Sequence, residues 1–586
     1  MLKLLRRMSR TEWIQAVISL GFIVVQVWLD LKLPDYMSEI TTLSQTEGSA
    51  MSDIWIAGGK MLLCALGSLA SSIAVGFFAA RIAASFSRSL RSSLFSKVDS
   101  FSMEEISRFS TDSLITRSTN DITQIQLLIT LGLQMIIKAP ITAVWAIIKI
   151  AGKGIEWTEA TGVAVLILIM VLAVMMIFVL PKFRQMQTLT DNLNRVTREN
   201  LSGLRVVRAY NAEAYQERKF ETANDELTKT QLFTNRGMAI MMPMMTALMS
   251  GLSLAIYWIG AYLINDAGAM DRLSIFSNMV VFSSYAIQVI MSFMMLIAVF
   301  ILLPRASVSA KRINEVLDTK PTILDGEKTE GKKDMEGEVE FRHVSFKYPG
   351  ASEYVLEDVS FTAGKGETIA FIGSTGSGKS TLVSLIPRFY DATEGGIYVD
   401  GVNVKDYTQE ALHSRIGYVS QRAVLFRGTV SSNISYGDSG KGKPSDDEIR
   451  KAAEIARSTD FIEKMDDSFE AEIAQGGTNV SGGQKQRLAI ARAVCRRPEL
   501  YIFDDSFSAL DYKTDREVRN ALKKETAGVT SLIVAQRIGT IMDADRIVVL
   551  EDGKIAGIGT HRELLKTCSV YKEIAMSQLS EEELAS

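Results

Sequence analysis

The stretch Gly373-Ser374-Thr375-Gly376-Ser377-Gly378-Lys379-Ser380 reads G-x-x-x-x-G-K-S, the pattern of a phosphate-binding loop. The apolar run Thr368–Ile372 before it reads as a buried strand, and Thr381–Ile386 after it reads as the first turns of a helix. That strand–loop–helix setting is what the motif needs. Glycines let backbone N–H groups close around a phosphate, and the helix N-terminus adds partial positive charge. In this reading Lys379 reaches the β- and γ-phosphates of a nucleotide, and the Ser380 hydroxyl binds Mg²⁺.

Working outward, the chain divides by composition. Its 586 residues are too many for one domain, and its net charge of −3 argues against a surface built for nucleic acid. The three cysteines, Cys64, Cys495 and Cys568, lie far apart and form neither a metal spacing nor a disulfide framework. Before residue 317 six long apolar segments appear, at about 13–34, 55–80, 124–150, 160–180, 238–264 and 274–303. Each is long enough to cross roughly 30 Å of hydrocarbon as a helix. The N-terminal Met1–Arg7 and the apolar run that follows read as a retained membrane segment, because no small-residue cleavage site follows.

Basic residues set the orientation. The long loop 181–237 carries ten Lys or Arg residues, and 81–123 carries Arg81, Arg88, Arg91, Lys97, Arg108 and Arg117. The loop 35–54 has none, and 265–273 has only Arg272. The positive-inside rule predicts a multi-pass protein of the cell membrane with both termini and both long loops in the cytoplasm. Helix-type spacing in these loops predicts that the membrane helices run on into the cytoplasm and turn around at Met103–Arg108 and Tyr210–Arg218, each a contact surface for a soluble domain. Asp30, Lys32, Lys138 and Lys149 fall within the apolar spans, where a charge needs a partner, a cavity or the interface. Lys138, beside Pro140, reads as lining an aqueous path, and the Met clusters at 238–249 and 291–295 suit either packing or the wall of a site for hydrophobic compounds.

Residues 317–335 are rich in Lys, Glu, Gly and Asp and read as a linker. From 336 to 586, short β-rich runs give way to alternating helices and strands, an α/β pattern. Leu500–Asp504 is an apolar strand ending in an acid, placed to deliver Asp504 to Mg²⁺. Val480-Ser481-Gly482-Gly483-Gln484 opens a helix and reads as a second anion site, suited to a nucleotide held by another domain.

These motifs together resemble an ABC (ATP-binding cassette) exporter half-transporter over essentially the whole chain. The resemblance implies a six-helix all-α transmembrane domain (1–316) with long cytoplasmic helical extensions, followed by an α/β P-loop nucleotide-binding domain (336–586), with ATP and Mg²⁺ as cofactors. It also implies that Tyr348 stacks on adenine, that Gln421 lies near Mg²⁺, that Ser481–Gln484 is the signature, and that Ser508–Asp511 is the D-loop. Asp112–Asp121 and Glu199–Arg208 resemble the inner-loop motifs beside two coupling helices.

Two positions depart from the family pattern. Asp505 stands where Glu normally polarises the attacking water, and Gln536 stands where a His is usual. Asp is one methylene shorter, so its carboxylate falls about 1.5 Å short of the water. Gln cannot carry the charge that His can. This combination resembles the degenerate-site subunit of a heterodimeric bacterial multidrug-type exporter. The expected partner is a non-identical half-transporter with Glu and His intact, and the expected cargo is a drug, lipid or other hydrophobic compound. A homodimeric exporter with slow ATPase and an ATP-gated membrane regulator are the alternatives.

Overall fold

The computed structural model describes residues 1–46, 49–150, 154–268 and 271–579. The chain divides into two units. The first gathers Met1–Val98 and Asp112–Thr319, and the second gathers Asp99–Thr111 and Lys320–Ser586.

The first unit is all helix. Among the described residues six segments are long and apolar enough to cross a membrane: Arg10–Gln45, Met51–Asp99, Thr111–Ile150, Ile155–Ser202, Glu213–Asp266 and Arg272–Leu296. Each apolar span read from the sequence is the middle or one end of a longer helical run, because amphipathic turns extend it past the hydrocarbon. Pro34, Pro181, Pro243 and Pro304 sit inside helices, which membrane helices tolerate. Along the second helix Trp55, Leu62, Leu63 and Leu66 are all more than half exposed. Such a large apolar face belongs in lipid rather than water. The third run is not one regular helix. Leu133–Ile137 is a π-helical turn set directly before Lys138.

The unit's core packs Ile23, Val27 and Leu31 of the first helix against Phe282, Tyr285 and Val289 of the sixth, with Trp157 of the fourth. Polar contacts cross this packing. Lys138 pairs with Asp30 at 3.2 Å and Lys149 with Asp35 at 2.8 Å. Ser68 also donates to Asp30, and the Tyr285 hydroxyl donates to Asp35 at 2.7 Å. In the absence of water each carboxylate therefore has a cation and a hydroxyl. Lys138 is engaged by Asp30 rather than facing an aqueous path alone.

The second unit holds two main sheets. Six strands lie in the order Lys554–Gly559, Arg546–Glu551, Thr368–Gly373, Thr530–Val534, Leu500–Asp504, Ile416–Val419. All neighbours are parallel except the first pair, whose antiparallel strand closes the edge. The strand Leu500–Asp504 is buried at every position. The second sheet, Leu356–Ala363, Val339–Phe346, Glu394–Val399 and Val402–Asn403, is antiparallel.

Two further pieces complete this unit. The helix Met103–Phe109 is capped at both sides of its first turn by Ser102 and Glu105. Glu105 is buried and also accepts the Thr322 N–H at 2.9 Å. Residues 324–332, within the stretch read as a linker, form a strap. Gly326 N–H donates to Tyr407 O, Lys328 N–H to Asp406 O, and Lys332 N–H to Asp400 O. Arg388 holds Leu324 O at 2.9 Å.

Candidate functional site

The central strands of the parallel sheet end at one edge, and the chemistry-bearing residues gather there. Thr368–Gly373 leads into the glycine-rich loop, and Lys379 opens the helix behind it. Gly378 has φ 94°, and a Cβ there would lie 2.7 Å from Leu356 Cδ2 and 2.9 Å from Val355 O. Only glycine fits that close approach. Lys379 is 8% exposed, and its ammonium donates to Gly373 O at 2.9 Å, Ser374 O at 2.6 Å and Ser377 Oγ at 3.2 Å. Burial pulls its pKa down, opposed by the charges of Asp505 and Asp504. A buried cation whose hydrogen bonds all go to neutral oxygens is matched to an incoming anion. The loop therefore fits a nucleotide phosphate.

Ser380 Oγ donates to Asp504 Oδ1 at 2.7 Å, and the Tyr418 hydroxyl lies 3.5 Å from Asp504 Oδ2. A hydroxyl and a carboxylate brought together beside the phosphate loop are the hard oxygen donors that Mg²⁺ takes. Burial raises the pKa of Asp504, partly offset by the Ser380 bond. The pKa of Asp505 is also raised, again chiefly by burial.

Asp505 follows in the turn after the strand, with φ 46°. Its Oδ2 accepts from Gln536 Nε2 at 2.9 Å and from Gln421 Nε2 at 3.2 Å. The three side chains come from three separate loops of one sheet edge. Gln421 touches Asp505, while Asp504 is served by Ser380 and Tyr418. Tyr418 was not among the residues singled out in the sequence. The only signal for it there was its place three residues before Gln421.

Tyr348 lies beside the loop, with its hydroxyl 2.9 Å from Thr381 Oγ1 and its ring at right angles to Phe346 and Tyr390. Ser374, Thr375 and Gly376 form the exposed lip of the loop. Ser481 is the N-cap of the helix Gly482–Cys495, in a reciprocal box with Gln484. Gly482 is open to solvent, and a Cβ on Gly483 would meet Ala509 O at 3.3 Å. Asp511 caps the next helix through Thr514 N–H at 3.0 Å.

Comparison with known proteins places this geometry. Residues 15–304 match the ABC transporter transmembrane region, and residues 356–508 match the ABC transporter domain. An ABC transporter ATP-binding protein of Mycobacterium tuberculosis, described as uncharacterized, is 40% identical over 562 residues, 95% of this chain and 94% of the relative. The chain belongs to the ABC transporter family. Another ABC transporter relative, YfiB of Bacillus subtilis, is 37% identical over 535 residues, 90% of each chain. The ATP-dependent lipid A-core flippase of Pseudomonas aeruginosa is 33% identical over 510 residues, 86% of this chain and 82% of the flippase. A bacterial Atm1-family ABC exporter solved with ATP bound shares the fold, with a TM-score of 0.77 at 23% identity over 97% of this chain and all of that one. This ABC transporter chain is thus a half-transporter, one transmembrane region joined to one ATP-binding domain.

Proposed function

We propose that the chain is one half of an ATP-driven exporter of hydrophobic or amphipathic compounds, working with a non-identical half. ATP sits on Gly373–Thr381 against Tyr348, and Mg²⁺ sits on Ser380 and Asp504 near Gln421. Hydrolysis at this site is slow. Ser481–Gln484 and Asp511 serve the nucleotide held by the partner, which turns over.

The observation that carries this reading is the convergence on Asp505. The carboxylate is short, and Gln421 and Gln536 both donate to the same oxygen. An acid held in that way has less freedom to take a proton from water, and neither amide can relay one. A positioned general base contributes roughly 10²–10⁴-fold, so its loss makes a holding site rather than a turnover site.

The test is ATPase activity of the chain purified alone and together with a second half-transporter that carries Glu and His at the corresponding positions. Turnover confined to the pair, and abolished by Glu→Gln in the partner, is expected. Brisk turnover by the single chain would instead support the homodimeric reading.

A further inference from the structure

The loop that carries Gln536 is held by a residue from outside the nucleotide site. The strand Thr530–Val534 runs on by one position, where Ala535 N–H donates to Phe371 O at 3.2 Å. The chain then turns outward at Gln536 and Arg537, both exposed, and sinks again at Ile538, which is fully buried. Ile538 opens the short helix Ile538–Ile541, whose N-cap, Arg537, makes no side-chain cap bond. The first N–H groups of a helix have no partner within it. Here Ile538 N–H donates to Gln578 Oε1 at 2.9 Å, and Gln578 Nε2 donates to the Gln536 carbonyl at 2.8 Å. One carboxamide thus accepts and donates across Arg537, as a peptide group does in a sheet ladder.

Gln578 follows the helix Ser569–Met576, and the turn that carries it stays wound. Gln578 N–H donates to Ala575 O at 3.1 Å, and Leu579 N–H to the same oxygen at 2.9 Å. Tyr571 and Ala575 of that helix are fully buried, in one cluster with Ala535, Ile538 and Ile372 of the strand before the phosphate loop. The two bonds therefore join segments already ordered by a shared core, so little further conformational freedom is lost in making them. From the same loop, Gln536 Nε2 reaches Asp505 Oδ2 at 2.9 Å, and Arg537 Nη2 lies 3.5 Å from Ser508 O. The backbone of Gln536 is thus tied to Gln578 and its side chain to Asp505.

We propose that Gln578 is a positioning residue for the nucleotide site: its carboxamide fixes the backbone at Gln536 and Ile538, and so keeps the Gln536 amide on Asp505. It acts through Gln536 rather than on Asp505. This rests on the reading that Gln536 restrains Asp505. Without the Gln578 bonds, the outward turn Gln536–Arg537 keeps only its buried flanks, and the Gln536 amide spends less time on Oδ2. Asp505 is then freer to take a proton from water, and hydrolysis at this site rises. Damage to a merely structural support would lower the rate instead.

Two measurements on the full chain in nanodiscs test this: single-turnover ATP hydrolysis and hydrogen exchange. Hydrolysis is followed in whichever assembly turns over, with a non-identical partner's own site silenced by Glu→Gln. Gln578→Ala should quicken exchange of the Ile538 amide by about tenfold. It should raise the single-turnover rate by about threefold with ATP affinity unchanged. In a Gln536→Ala background the same substitution should leave the rate where it is, because the two residues act in series. A rate that is unchanged or lower in Gln578→Ala, or an equal rise in the Gln536→Ala background, would overturn the proposal. So would an Ile538 amide as protected as in the wild type. Brisk hydrolysis by the wild type would count against the slow-site reading, and the Ile538 exchange and the ratio of variant to wild-type rate would still decide on Gln578.

Discussion

Asp505 and Gln536 are joined by a 2.9 Å hydrogen bond across the edge of the parallel sheet. On the proposed reading they stand where an ABC exporter carries Glu and His, and each now occupies the other. Restoring both, as Asp505→Glu with Gln536→His, should raise the turnover of this site by about 10- to 100-fold, since a correctly placed base and its orienting partner are regained together. Steady-state ATPase with the partner's own site silenced reads this directly. An unchanged rate would mean that Asp505 does not limit hydrolysis.

Gly378 is the position where the phosphate loop has least room. Gly378→Ala would press a methyl group on Leu356 and the Val355 carbonyl at a left-handed φ. Strain of about 1–3 kcal/mol is expected. The loop should relax by moving its N–H groups off the phosphate. ATP should then no longer raise the melting temperature of the variant, while the unliganded protein stays folded.

In the membrane unit, Lys138→Met leaves the Asp30 carboxylate with Ser68 alone. Stranding one charge of this half-buried pair within the bilayer costs about 2.5–3.5 kcal/mol, whereas removing both charges costs far less. Thermal unfolding in detergent should therefore fall steeply for Lys138→Met and recover in the double variant Asp30→Asn/Lys138→Met. Equal losses in the two would show that the pair carries no electrostatic coupling.

Glu105 gives a dependence on acid. Burial raises its pKa, but its bonds to Ser102 and Thr322 outweigh burial and leave it below the usual glutamate value. A lowered folded-state pKa means the contribution is fully present above the unfolded value near 4.5 and is lost as pH falls through the folded value. Proteolytic nicking at Met103–Phe109 should increase on acidification below about pH 4.5. Glu105→Ala, which strands the Thr322 N–H, should show that nicking already at neutral pH, at a cost of about 1–3 kcal/mol.

Much of this protein is written locally in its sequence. The phosphate loop, the strand ending in Asp504 and the signature at Ser481 each need only a few neighbouring residues, so their patterns survive without knowledge of the fold. The six apolar spans are equally local. What could not be read depends on partners far along the chain. Asp30 finds Lys138 across 108 positions, and Glu105 finds Thr322 across 217. The strap is held by backbone groups, which leave no mark in side-chain composition, so it reads as a plain polar linker. The π-helical turn before Lys138, Leu-Gln-Met-Ile-Ile, has no signal of its own in the sequence. The bond from the Gln421 amide to Asp505 likewise depends on a partner 84 positions away.

The thirteen-residue insertion Asp99–Thr111 leaves a membrane helix and returns to one, yet folds as part of the ATP-binding domain. Its burial of Glu105 makes it a member of that domain's cooperative unfolding block. Heating should release Met103–Phe109 together with the segment around Thr322, ahead of the helices on either side of it in the chain. A calorimetric transition assigned to the ATP-binding domain will then contain a segment that lies more than 200 residues upstream of it.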